Sequence, residues 1–150
     1  MSPRRVILGL TAANIEEAIA SAIGAVPQAE LPFPSAQITK SVLERERAMS
    51  TYLGDGIAIP HARLEGLEQS VLILARSEEG IPVKGRDERA KFLFILLTPA
   101  GSPRTQVRLL SRIAGLIESA YVRERIEDAK SGQAIADAIR SAETISLSRH

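Results

Sequence analysis

The sequence predicts an α/β protein: a single-domain sandwich in which a mixed β-sheet is flanked by helices on both sides. Two short apolar runs, SVLILARS at 70–77 and KFLFILLTP at 91–99, are rich in β-branched, aliphatic and aromatic residues. Such bounded, near-continuous runs are typical of strands buried on both faces. Segments with helical periodicity precede and follow them, which places helices on both sides of the sheet. The strands are too few for a doubly wound dinucleotide-binding sheet, and no glycine-rich nucleotide loop occurs.

Composition supports one domain, residues 1–150, and excludes several function classes. Hydrophobic residues make up 45% of the chain, with three Phe, two Tyr and no Trp, so the core is aliphatic. The net charge of +1 argues against a nucleic-acid partner. The absence of cysteine excludes disulfides and thiolate chemistry. No stretch approaches the roughly 20 apolar residues that span a bilayer, so we expect a cytoplasmic protein without direct membrane insertion.

Helices are expected on either side of the two apolar runs. Residues 14–26 form an amphipathic helix capped by Asn14, and Ser35 caps a second helix over 36–49. After Pro99, Ser102 and Pro103 begin a helix over 102–119 with an inward stripe that includes Val107. A short helix over 120–129 and one over 132–142, capped by Ser131, complete the prediction. The turn-rich segment 78–89 connects the two strands, the first strand comes from the N-terminal 13 residues, and the tail 143–150 is expected to be loose.

The segment GDGIAIPHAR at 54–63 carries the candidate chemistry. It begins with a glycine turn that follows a strand, and Pro60 restrains the backbone just before His61, the only internal histidine. A histidine has an ordinary pKa near ~6.5, so its neutral, nucleophilic form is abundant at neutral pH. Cations are available at Arg45 and Arg63, and hydroxyls at Ser50 and Thr51. A transferring phosphoryl group needs such a nucleophile and such donors.

Other interpretations of His61 are less specific. A lone histidine at a strand end is commonly a structural residue. A zinc site lacks the cysteines or second internal histidine that would complete it, so no metal is expected. A hydrolase built on Ser50, His61 and Asp55 lacks the nucleophile-elbow sequence. His150, at the chain end, is not expected to take part.

The stretch VLERERAMSTYLGDGIAIPHARLE at 42–65 resembles the signature of enzyme IIA domains of the bacterial phosphoenolpyruvate-dependent phosphotransferase system, of the fructose, mannitol and nitrogen-regulatory type. The matching features are the pair Arg45-Glu46, the pair Ser50-Thr51, the glycine turn, and the IAIPH sequence that ends at His61. An apolar strand ending in proline and a Leu-rich helix extend the resemblance over roughly residues 11–142.

The resemblance implies a function and a set of partners. His61 would accept a phosphoryl group from a histidine phosphocarrier protein and pass it to a IIB domain, or hold it as a regulatory mark on a transporter or regulator. Arg45 would assist the phosphoryl group, with Thr51, Ser50 and Arg63 as further phosphate-binding candidates. No cofactor is implied.

Gln106 departs from the pattern of the family. The family commonly has a second histidine early in the helix after the proline-ended strand, and Gln106 holds that place. We therefore assign Gln106 to the candidate catalytic group and expect its amide to lie within hydrogen-bonding reach of His61. Because an amide cannot become cationic near neutral pH, an alternative stays open. The chain would then be a weakly catalytic or non-catalytic regulatory domain, excised from a transporter fusion, or a small α/β domain that binds an unrelated anion.

Overall fold

A mixed six-stranded sheet lies between two layers of helices, which confirms the predicted α/β sandwich. The computed structural model describes residues 2–148, and for residues 143–148 it describes the backbone alone. The strands are β1 (Val6–Ile7), β2 (Tyr52–Gly54), β3 (Ile57–Ala58), β4 (His61–Leu64), β5 (Val71–Pro82) and β6 (Arg89–Pro99). The helices are α1 (Ile15–Ala25), α2 (Ser35–Ala48), α3 (Pro103–Glu118), α4 (Ala120–Asp128) and α5 (Gly132–Ser148).

The antiparallel hairpin β5–β6 forms the centre of the sheet. Leu74 lies opposite Phe94 in a register that is irregular between Arg76 and Ile81. Both strands are longer than predicted, because β5 continues past this irregularity to Pro82. The connection predicted at 78–89 therefore shrinks to residues 83–88.

Alternate residues of the hairpin face two separate cores. One core contains Ile73, Leu93 and Ile95 and packs against α1 and α2. The other contains Leu74, Phe94 and Leu96 and packs against α3, α4 and α5. Burial on both faces explains why these strands read as continuous apolar runs in the sequence.

A third segment pairs with β6 and carries the candidate site. β3 and β4 both run parallel to β6, with Ala58 opposite Leu93 and His61 opposite Leu96. The register is the same for both strands, because Ala58 and His61 are three positions apart along the chain, as are their partners Leu93 and Leu96. Pro60 lacks an N–H and interrupts the ladder at this point, although its carbonyl still accepts a hydrogen bond of 2.9 Å from the Leu96 amide. Thus the predicted short strand before His61 is followed by a second strand that His61 begins.

Helix caps agree with the sequence in part. The Asn14 side chain accepts a 2.8 Å hydrogen bond from the Glu17 amide, and the Ser131 hydroxyl accepts one of 3.1 Å from Ala134. The prediction for Ser35 is wrong, because Pro34 occupies the cap and Ser35 is the first helical residue. Ser102 occupies the cap of α3 without a side-chain capping bond.

Two further predictions are corrected by the structure. Val107 is 65% exposed rather than part of the inward stripe, because it lies about 120° around the helix from buried Ile113. The tail is not loose over residues 143–148, since α5 continues to Ser148 and no Gly or Pro after Gly132 ends it earlier. Residues 149–150, which include His150, lie outside the described residues.

A buried arginine joins the hairpin to the second helix layer. The Arg76 guanidinium, which is 9% exposed, donates hydrogen bonds to the carbonyls of Ile126 at 2.8 Å and Ala129 at 2.6 Å. A further, longer bond of 3.3 Å reaches the carbonyl of Glu127. These carbonyls lie at the end of α4, where helix carbonyls have no partner within the helix.

We expect Arg76→Ala to lower the free energy of unfolding by roughly 2–4 kcal/mol, because three carbonyls at the end of α4, one of them in a buried hydrogen bond, lose a charged donor. Urea denaturation monitored by circular dichroism measures the change. Arg47→Ala is the control: its exposed ion pair with Glu16 is worth under about 1 kcal/mol. Equal midpoints for the two variants would contradict this role of Arg76.

Candidate functional site

The backbone before His61 fixes both the position and the tautomer of its ring. The side chain is 8% exposed, at the start of β4 and directly after Pro60. Its Nδ1 lies 2.8 Å from the Ile59 carbonyl oxygen. Because a carbonyl oxygen only accepts hydrogen bonds, Nδ1 carries the proton and donates it. Nε2 is left with its lone pair, as a nucleophile requires.

The environment keeps this ring neutral. Burial is the largest effect and lowers the pKa of His61 below its ordinary value of 6.5. The hydrogen bond to Ile59 opposes the shift and raises the pKa, the charge of Arg45 lowers it, and the charge of Glu46 raises it. At neutral pH the ring is therefore an uncharged base with a free Nε2.

An open cleft of about 610 Å³ brings four of the predicted site residues together. His61 and Arg63 reach it from β4, Arg45 from the last turn of α2, and Gln106 from the first turns of α3. The other lining residues are Ser41, Glu44, Ala62, Glu65 and Ala100. The cleft thus lies at the edge of the sheet, between the two helix layers.

Arg45 is held at the cleft by the end of its own helix. Its Nη1 donates a 2.9 Å hydrogen bond to the Met49 carbonyl, just beyond α2. This bond uses one edge of the guanidinium and leaves donors for a ligand. Arg63 makes no ion pair with any residue in the described part of the chain, so two cations serve the cleft.

The two predicted hydroxyl donors do not line this cleft. Thr51 is 7% exposed and its hydroxyl donates a 2.6 Å hydrogen bond to the Glu46 carboxylate. Ser50 accepts a 3.2 Å bond from the Tyr52 amide and lines a different cavity, which is beside the start of α1. The sequence places both residues close to His61 along the chain, but the turn into β2 directs their side chains elsewhere.

Glu46 is a site residue to which the sequence assigned no role. It is 7% exposed, and its carboxylate acts on His61 through charge. The sequence feature that could have identified Glu46 is its place beside Arg45 and five residues before Thr51. Neighbouring helix positions point about 100° apart, so one residue of the pair reaches the cleft and the other the interior.

Gln106 lines the cleft with His61, but its side chain makes no hydrogen bond to His61 or to any other described residue. The expected contact is therefore not formed in this structure. An amide placed in the cleft is free to meet a ligand instead. His61 also departs from the hydrolase pattern, because its Nδ1 is bonded to a backbone carbonyl and not to the carboxylate of Asp55.

The arrangement is suited to accepting an anionic electrophile. A neutral imidazole, whose Nε2 carries no proton, lines an open cleft together with the guanidinium groups of Arg45 and Arg63. Among residues 2–142, whose side chains the structure describes, no group of three or more His, Cys, Asp or Glu side chains is placed to hold a metal ion. In the same range, no helix is both long enough and apolar enough to cross a membrane.

Comparison with known protein families decides the family. The model of the family described as "Phosphoenolpyruvate-dependent sugar phosphotransferase system, EIIA 2" matches residues 1–142. The chain belongs to this family. It is therefore an enzyme IIA-type component of a phosphotransfer system, and the resemblance found in the sequence is confirmed.

Relatives in the family carry both sugar-transport and regulatory names. The chain is 35% identical over 100 residues to the fructose-specific EIIA component of Haloferax volcanii, covering 66% of this chain and 65% of that protein. It is 32% identical over 108 residues to the nitrogen regulatory protein of Pseudomonas aeruginosa, covering 71% and 70%. The chain thus spans just under two thirds of the length of the fructose-specific relative.

Solved structures share the fold. The nitrogen regulatory protein IIA-Ntr of Neisseria meningitidis superposes with a TM-score of 0.80 at 23% identity, over 91% of this chain and 94% of that one. The enzyme IIA for mannitol of Escherichia coli, in complex with its phosphorylated enzyme IIB, gives a TM-score of 0.75 at 19% identity over 94% and 97%. At these identities the likeness establishes the mixed α/β fold of the family.

The lowered pKa of His61 has a consequence for stability. Below about pH 6.5 the unfolded histidine binds a proton that the folded one does not, so folding stability falls as the pH is lowered. We expect the wild type to lose more stability between pH 7 and pH 5 than His61→Gln, which has no proton to bind there. Urea denaturation of both proteins at each pH measures the difference. Parallel pH profiles would show that His61 titrates normally.

Proposed function

We propose that His61 is a phosphoryl acceptor that takes the group at Nε2 from a histidine phosphocarrier protein and passes it on. The observation that carries the proposal is the Nδ1 hydrogen bond to the Ile59 carbonyl, which leaves Nε2 unprotonated beside the cleft. We propose that residues 1–150 act as a single domain of this kind, and that the domain works in the cytoplasm.

The transfer follows from this geometry. The Nε2 lone pair attacks the phosphorus of the donor phosphohistidine, the new P–N bond forms, and the donor imidazole recovers the electron pair of the bond that breaks. The His61 proton stays on Nδ1, so the ring gains positive charge as the bond forms. Arg45 and Arg63 stabilise the charge spread over the phosphoryl oxygens, as positioned donors do in phosphoryl transfer. Ser50 and Thr51, proposed from the sequence as further phosphate ligands, contribute only if the turn that holds them rearranges.

Two acceptors of the phosphoryl group fit the comparisons. The mannitol enzyme IIA was solved with a phosphorylated IIB partner, which supports onward transfer to a IIB domain. The nitrogen regulatory names among the relatives support use of the phosphoryl group as a mark on a transporter or regulator. A Bacillus subtilis EIIABC component, in which the match covers 16% of that protein, supports the alternative of a domain drawn from a transporter fusion.

Incubation with phosphoenolpyruvate, enzyme I and a histidine phosphocarrier protein tests the assignment. We expect one acid-labile, base-stable phosphoryl group per chain, since phosphoramidate bonds have that stability. His61→Ala should carry none, and circular dichroism should show that this variant is folded. Mass spectrometry measures the label, and full labelling of the alanine variant would exclude His61 as the acceptor.

Gln106 limits the rate in this proposal. Its amide reaches the cleft but cannot become cationic, so it cannot neutralise an incoming phosphoryl group. We expect Gln106→His to leave stability nearly unchanged and to speed phosphotransfer, most clearly below neutral pH, where the new imidazole is protonated. Transfer rates from pH 5 to 8 measure the effect. Rates equal to those of the wild type across this range would show that Gln106 has no part in transfer.

A further inference from the structure

The carboxylate of Glu46 is buried, and hydrogen bonds from one residue, Thr51, compensate the cost of its burial. It is 7% exposed, and it accepts hydrogen bonds from the Thr51 amide at 3.2 Å and from the Thr51 hydroxyl at 2.6 Å. Removing a carboxylate from water is costly unless such donors replace it. The two bonds therefore tie the segment after α2 to the helix that carries Glu46.

From Thr51, two further hydrogen bonds lead to the nucleophile. The Thr51 carbonyl accepts the amide proton of Ile59 at 3.1 Å. The Ile59 carbonyl in turn accepts the Nδ1 proton of His61 at 2.8 Å. Thr51 is thus the partner of the Ile59 amide, and Pro60, which lies between Ile59 and His61, has no N–H that could add a further bond.

We propose that Glu46 is a positioning residue, which holds Thr51 so that Thr51 and Ile59 keep Nδ1 of His61 protonated and Nε2 free to attack. The expected effect on the rate of phosphoryl transfer rests on the proposed function. The expected effect on the tautomer of His61 concerns the unphosphorylated protein. Partners that orient a metal-binding histidine change affinity or activity by about 10–100-fold when they are removed, and we expect an effect of similar size on His61.

The charge of Glu46 adds to this positioning. As Nε2 bonds to phosphorus, the His61 ring becomes cationic while its Nδ1 proton stays in place. The charged groups around the ring are Arg45 and Glu46 on α2, with Glu44, Arg63 and Glu65 at the cleft. Among these carboxylates, Glu46 is the buried one, so its attraction for the ring is least screened by water.

The test measures the tautomer of His61 and the transfer rate in the same variants. Glu46→Gln keeps the shape of the side chain and removes its charge. We expect the ¹⁵N spectrum of His61 at pH 8 to show Nδ1 protonated in the wild type and a mixture of tautomers in Glu46→Gln. The rate of phosphotransfer should fall by about 10–100-fold. Glu17→Gln, which changes an exposed carboxylate on α1, should match the wild type in both measurements.

Thr51 provides a second pair of variants in case Glu46→Gln does not fold. Thr51→Ser keeps the hydroxyl that bonds to Glu46, and Thr51→Val removes it at nearly the same volume. We expect Thr51→Ser to retain the wild-type tautomer, and Thr51→Val to lose it and to transfer the phosphoryl group more slowly than Thr51→Ser. A merely structural role would lower the melting temperature of Thr51→Val without changing the tautomer.

The outcomes separate this inference from the proposed function. The positioning role would be overturned if both Glu46→Gln and Thr51→Val kept the wild-type tautomer. If Glu46→Gln does not fold, a wild-type tautomer in Thr51→Val alone would overturn it. A wild type that takes no phosphoryl group, together with a changed tautomer in the variants, would overturn the proposed function and leave the positioning of His61 supported. A changed tautomer with an unchanged transfer rate would overturn the catalytic consequence of positioning.

Discussion

The structure depends on the two-sided burial of the β5–β6 hairpin. Every other strand except β2 pairs directly with one of these two strands, and both helix layers pack on them. Each residue of β6 from Phe92 to Leu97 contributes to one core or the other. Among the described strands, β6 alone pairs with the edge strand that carries His61. The position of the nucleophile therefore follows from the packing of the hairpin.

The site combines parts of both layers at that edge. Arg45 comes from a helix on one face of the sheet and Gln106 from a helix on the other, while His61 and Arg63 come from the strand between them. Neither helix could form the cleft alone. The burial that keeps His61 neutral is a property of the sandwich as a whole, whereas the choice of its attacking nitrogen is made locally, by Ile59 and Pro60.

Much of this could be predicted from the sequence, because the decisive signals are local. Each of these signals acts within a few residues of the chain: the two apolar runs, the caps at Asn14 and Ser131, and the Pro60-His61 pair. The features that the sequence did not reveal depend on the direction in which side chains point. The hydroxyls of Ser50 and Thr51 are near His61 along the chain, yet the irregular segment between α2 and β2 points them away. Glu46 adjoins Arg45, yet the helix turns it inward, and the Thr51 hydrogen bonds that compensate its buried charge depend on the path of the chain after α2. Val107 fits an apolar pattern but lies off the buried face by a third of a turn.

The edge strand β4 pairs with β6 on one side and with no other described strand. An open strand edge is a template on which another polypeptide can add, and many proteins aggregate through such edges. Here the strand is four residues long. It begins next to a proline, which offers no amide proton, and it carries a charged Arg63. These features discourage extension of the sheet by a foreign chain. The cleft beside this edge is open. Under the proposed function, resistance to fibril-like growth and access for a folded partner protein therefore arise from one short stretch of backbone.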